Sequence, residues 1–108
     1  MEHWTIERVV TADWARDVLV RYAERYGKGD FEVIREILVD KAQRVRDASQ
    51  GPVDADIQEH WLFEKHRVPT WARLWISVYA QENAKSIIEV AHEAAVEKAM
   101  ELEEEFGT

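Results

Sequence analysis

Apolar residues recur at helical spacing along nearly the whole chain. Between residues 12 and 26, Ala15, Val18, Leu19, Tyr22, Ala23 and Tyr26 share one face, with Arg16, Asp17, Glu24 and Arg25 on the other. This pattern predicts a first helix. Thr11 is its expected N-cap, because a hydroxyl there can accept from an orphaned amide of the first turn, and Gly27-Lys28-Gly29 ends it. A second helix is expected from Asp30, its predicted cap, to about Ala48, with Phe31, Ile34, Leu38, Ala42 and Val45 inward and Ile37 widening the stripe. Ser49-Gln50-Gly51-Pro52 reads as a loop. Asp54 then caps an expected shorter third helix to about His66, with Ile57, Trp61 and Leu62 inward. Pro69 marks the next boundary, with Thr70 as an alternative cap.

Residues 71–106 contain neither glycine nor proline. Trp71, Leu74, Trp75, Val78, Ile88, Ala91, Ala95, Ala99, Leu102 and Phe106 fall close to one helical face. Unbroken, this helix would be about 54 Å long at 1.5 Å per residue. A compact domain of ~100 residues has a radius of gyration of only about 13 Å, so the helix would overhang its own domain. The same helix of a second copy is the simplest cover, since alanines allow close approach. The alternative is a break over residues 81–86, where the apolar spacing weakens, folding the end back onto the first two helices. Residues 1–10, with Trp4, Ile6, Val9 and Val10, read as an arm, a short strand or a short helix. The expected fold is therefore all-α: one domain over residues 1–108, about four helices with a long C-terminal one, assembled as a homo-oligomer.

Composition narrows the class without naming a function. A hydrophobic share of 46% with 33% charged residues belongs to an ordered, soluble protein. With no cysteine, disulfides, thiolate metal sites and cysteine nucleophiles are excluded. No stretch approaches the roughly 20 apolar residues of a membrane span. Met1-Glu2-His3-Trp4-Thr5 lacks the basic start and apolar run of a secretory signal, so a cytoplasmic location is expected. The net charge of −8 is concentrated in the second half: residues 1–53 carry nine Lys/Arg against ten Asp/Glu, residues 54–108 five against twelve. A field of that sign disfavours nucleic acid and suits a basic protein partner or a cation. A helix-turn-helix over the 67–70 turn would offer only Arg73 for base reading, inside the acidic half.

Three groups of residues are candidates for function. Glu89 and His92 form a Glu-x-x-His pair, a spacing that carboxylate-bridged di-iron bundles use, and Asp56, His60 and Glu64 form a second row four residues apart. Facing each other, the rows could hold a divalent metal such as iron or zinc. Against this, the chain has a single Glu-x-x-His, Asp56 suits the first turn of a helix anyway, and His60 can pair with Glu64 at the surface. Glu93, Glu97, Glu101 and Glu105, each four residues from the next, make an acid stripe that is either a solvated end or a docking strip for a basic partner. Five tryptophans are many for this length, and Trp61, Trp71 and Trp75 lie close around Pro69, suited to a core, an interface or a small apolar pocket. No Gly-rich phosphate loop, nucleophile elbow or His-Glu-x-x-His motif is present.

Together these features lead to a non-enzymatic interaction module as the expectation. It self-associates through Trp61, Trp71, Trp75, Ala91, Ala95, Ala99 and Leu102 and presents its acidic C-terminal surface to a basic partner. The alternative is a carboxylate–histidine metal protein or small enzyme with a site completed across a dimer.

Overall fold

The computed structural model describes residues 3–50, 53 and 55–106. Among them are six helices and no strand: α1 (Trp4–Val9), α2 (Asp13–Arg25), α3 (Asp30–Ala48), α4 (Trp61–Lys65), α5 (Thr70–Glu82) and α6 (Ile87–Phe106). The all-α expectation holds, while the count of four gives way to six. The N-terminal arm is itself a helix, and the long C-terminal helix is two.

Three helix ends share one construction. At the end of α2, Lys28 donates its backbone N–H to Ala23 O and Gly27 donates to Glu24 O, with Gly27 at φ +64°. At the end of α4, Val68 reaches Phe63 O and Arg67 reaches Glu64 O, with Arg67 at φ +48°. After α5, Lys85 reaches Ala80 O and Ala84 reaches Gln81 O, with Ala84 at φ +52°. Each is a Schellman motif, in which a residue in the left-handed region closes off the last carbonyls of a helix. Only the first uses glycine, the residue that adopts this conformation without strain.

The α5–α6 break is completed from the other side. Ser86 Oγ accepts the Glu89 backbone N–H at 3.2 Å, and Glu89 Oε1 accepts the Ser86 N–H at 3.3 Å. This reciprocal pair is a capping box that starts α6. The overhang therefore does not exist, and the chain's longest extent is 40 Å. Without it, the geometric argument for a second copy is gone.

α6 folds back onto the rest of the chain. It runs alongside α2 in the same direction: the Thr11 N–H donates to His92 Nδ1 at one end, and the Arg25 guanidinium lies 5.0 Å from the Phe106 ring at the other. Ala91, Ala94, Ala95 and Ala99 let α2 and α3 approach closely, and all four are buried together with Leu102. They join Ile6, Leu19, Ile34, Leu38, Leu62, Phe63, Ile76 and Ile87 in one apolar cluster. The alanine stripe expected to meet another copy is thus covered from within.

Local caps are also reassigned. Thr11 does not cap α2, whose N-cap is Ala12, because its amide is drawn to His92. Gly29, not Asp30, is the N-cap of α3. The Asp30 carboxylate instead turns to α1, where Oδ2 accepts the N–H groups of Thr5 and Ile6 at 2.9 and 3.1 Å and Oδ1 meets His3 Nδ1 at 2.7 Å. One carboxylate thus holds the first turn of α1 against the start of α3, which seats Ile6 and Val9 in the core. The expected third helix is shortened to α4. Residues 55–60 are not helical, since Gln58 N–H is taken by the buried hydroxyl of Ser77 on α5 at 2.9 Å. His60 caps α4, its Nδ1 accepting the Leu62 N–H; Asp54, the expected cap, lies outside the described residues. Tyr26 and Phe31, expected inward, are exposed.

Candidate functional site

The residues expected to bind metal do not come together. Among the described residues no group of three or more His, Asp or Glu side chains could hold a metal ion. Glu89 is engaged in the capping box, and His92 Nδ1 accepts from Thr11. His60 Nδ1 is committed to its own helix, while Asp56 and Glu64 are exposed. The matching of spacings was local, and Glu89, His92 and His60 are each taken by a backbone amide instead. Glu89 and His92 do share an open groove of about 380 Å³ with Arg8, Thr11 and Ile88, where Lys85 and Glu93 already pair with each other.

The acid stripe is largely occupied. Lys41 rises from α3, nearly buried, and its Nζ lies 3.2 Å from Glu93 Oε1 and 3.0 Å from Glu97 Oε1. The ammonium also sits 4.3 Å from the centre of the Tyr79 ring, and the Tyr79 hydroxyl and Lys85 both donate to Glu93. Burial pushes the Glu93 carboxyl up, but the bonds from Lys85, Tyr79 and Lys41 outweigh it and hold its pKa at about 2. Burial likewise works against the Lys41 charge, and the two glutamates more than offset it, raising its pKa. Arg44 adds contacts of 3.4 Å to Glu97 and 2.9 Å to Glu101. Glu97 Oε1 is buried and takes no well-directed hydrogen bond, although both cations neighbour it. Of the four stripe residues, three are bound to cations of α3 or of the α5–α6 turn, and Glu105 stays exposed. Sequence reasoning missed Lys41, Arg44 and Tyr79, since nothing local marks a lysine as the partner of glutamates fifty residues away. Beside this network an open groove of about 490 Å³ is lined by Arg44, Val45, Trp75, Val78 and Glu82.

The tryptophans divide. Trp71 and Trp75 are partly buried against the core, and the Arg46 guanidinium lies 4.7 Å from the Trp71 ring. Trp61 is 39% exposed, and Trp4 is 51% exposed. These two are joined through a single ammonium: Lys65 Nζ lies 4.4 Å from the centre of the Trp4 ring and 5.8 Å from that of Trp61. The Arg8 guanidinium stands 5.1 Å from the Trp4 ring, and the His60 imidazole stacks on Trp61 with centres 5.7 Å apart. Lys65 Nζ also reaches Thr5 Oγ1 at 3.4 Å. α1 and α4 thus build a surface of two open indole rings bracketed by cations, on a chain whose net charge is −8. Beneath it His66 is fully buried, Nδ1 at 3.3 Å from Phe31 O and Nε2 without a partner. Burial lowers its pKa, so the neutral ring is the form this site favours.

The molecule is an all-α protein in which this face joins two open indole rings through one ammonium, while Trp14, Tyr26 and Phe31 are exposed as well; no described helix is long and apolar enough to cross a membrane. Comparison with protein-family models, curated proteins and solved structures finds no significant match, so no relative's chemistry carries over to these residues.

Proposed function

We propose that this chain is a non-enzymatic helical protein-interaction module whose contact face is the Trp4–Trp61 surface. The observation that supports this is the sharing of Lys65 between two indole rings that the fold leaves open while 27 hydrophobic side chains among the described residues are buried. Tryptophan and arginine are enriched where protein interfaces concentrate their binding energy, because a large rigid ring buries much area at little entropic cost. The carboxylates and imidazoles that would serve acid–base chemistry are mostly engaged in caps and ion pairs, which favours binding over catalysis. Of the acid stripe, Glu105 at the exposed end of α6 is what remains for a basic partner once α3 and the α5–α6 turn have engaged Glu93, Glu97 and Glu101.

A photo-crosslinking side chain in place of Trp4, compared with one in place of the equally open Met100, tests this reading in cells. Protein adducts specific to position 4 are the expected result. Adducts that are absent, or equally abundant from Met100, would remove the basis for a contact face there.

A further inference from the structure

Resting on that reading, we infer that the partner of the Trp4–Trp61 face is an acidic peptide segment of another protein. Its carboxylates meet Arg8 and Lys65 while an apolar side chain lies on the indole rings. The inference comes from comparing three rings of the molecule. The Tyr22 ring carries the ammonium groups of Lys28 and Lys98, 5.2 and 5.8 Å from its centre. The Tyr79 ring carries those of Lys41 and Lys85, at 4.3 and 5.6 Å. At both rings the fold supplies the anions. Glu36 and Asp40 serve the first pair, Glu93 and Glu97 the second, and each of the four cations has a carboxylate within 3.3 Å.

The Trp4 ring also carries two cations, Arg8 at 5.1 Å and Lys65 at 4.4 Å. Among the described residues neither has a carboxylate partner; the Lys65 ammonium donates to the Thr5 hydroxyl. Glu7, next to Arg8 in sequence, lines a separate groove with Arg16 and Arg21 along α2, and Glu64 forms no ion pair among the described residues. The two cations stand at most 9.5 Å apart, the sum of their distances to the ring centre. That is comparable to the Debye length of ~8–10 Å near physiological salt, so each raises the energy of the other, and a carboxylate brought to the face relieves both. Both side chains and both indoles are exposed, so this anion can come from outside.

Net charge limits the size of the partner. At −8 the chain repels an extended polyanion, and a nucleic acid or an anionic membrane spreads its charge well beyond the face. A short peptide seated on α1 and α4 feels mainly the charges within a Debye length. Its apolar side chain gains by covering the two rings. The sign of this partner is the reverse of what the net charge alone implies.

Titration of the full chain with a blocked peptide of alternating glutamate and leucine, followed by amide and indole N–H signals in NMR spectra, tests the inference. The expected result is saturable binding that shifts signals of α1, α4 and the Trp4 and Trp61 indoles. It should weaken at least tenfold for the glutamine–leucine counterpart and for Arg8→Gln with Lys65→Gln, whose spectrum also reports that it is folded. Lys98→Gln, at a cation that already has Asp40, should leave the affinity unchanged. No saturable binding up to about 5 mM peptide would overturn the acidic partner. Equal binding of the two peptides, shifts confined to other helices, or a cation variant that binds as the wild type does would overturn it too. Tighter binding of oligothymidylate or of phosphatidylserine vesicles than of the peptide would replace it with a phosphate polyanion. If the peptide fails while position 4 still crosslinks to protein, the contact face stands with a partner of other chemistry. If both fail, the face itself is wrong.

Discussion

Ala84→Gly tests the feature that most changes the architecture, the break between α5 and α6. Ala84 sits at φ +52°, in the left-handed region where a Cβ crowds the following carbonyl. For an L-residue that conformation costs roughly 1–2 kcal/mol, and glycine avoids it. Glycine loses more backbone freedom on folding, which returns roughly 0.5–1 kcal/mol of the gain. The net expectation is a stabilisation of about 0.5–1 kcal/mol. At 4–8 °C per kcal/mol for a chain near this size, Tm should rise by about 2–8 °C. The control is Met100→Gly, at an exposed position inside α6, where glycine should cost about 1 kcal/mol. Thermal and urea unfolding of both variants give the comparison. Were α5 and α6 one continuous helix, Ala84→Gly would destabilise as Met100→Gly does, and that result would refute the Schellman break.

Other expectations follow from the same contacts. Ser86→Ala removes one arm of the capping box and should cost about 1 kcal/mol by urea unfolding; no loss would mean that α6 does not start there. Lys41→Met leaves Glu97 with Arg44 alone while Glu93 keeps Lys85 and Tyr79, so a loss of about 2–3 kcal/mol is expected, below the ~3–5 of a fully buried broken pair because the glutamates are one-third exposed. Ala95→Glu places an unpaired charge at a fully buried position and should prevent folding, not merely separate subunits; a folded, soluble variant would contradict the packing of α6. For His66 the folded pKa lies below the ordinary 6.5, so the unfolded chain takes up the proton first. Its contribution is full above about pH 6.5 and is lost as pH falls below that, by up to ~1.4 kcal/mol per pH unit. His66→Phe should flatten the urea midpoint between pH 6.5 and 5, and an unchanged slope would exclude this assignment. Glu93, held at about 2, should add a second loss in the same direction as pH falls from 4.5 toward 2.

The pattern of apolar positions alone determined the all-α class, the location of α2 and α3, the Pro69 boundary and, on the core face of α6, Ala91, Ala95, Ala99 and Leu102 but not Ile87, Val90 or Ala94. These follow from burial at a 3.6-residue period, which is a local property of sequence. The metal rows were a false reading of the same locality: Glu89 and His60 have the spacing of ligands but the positions of caps, and capping needs only the nearest amides. Tertiary structure decided the rest. Ala84 carries no mark of the left-handed turn it adopts, because alanine is the strongest helix former, and only α6 returning over α2 and α3 makes the turn worth its strain. Asp30 caps α1 from another helix, Gln58 yields its amide to Ser77, and Lys41 neutralises Glu93 and Glu97 across more than fifty residues. Trp4 and Trp61, likewise far apart in the chain, become one surface only because α1 and α4 bring them to the two sides of Lys65. Such pairings depend on which surfaces meet in space, and periodicity along a single strand of sequence holds no information about that.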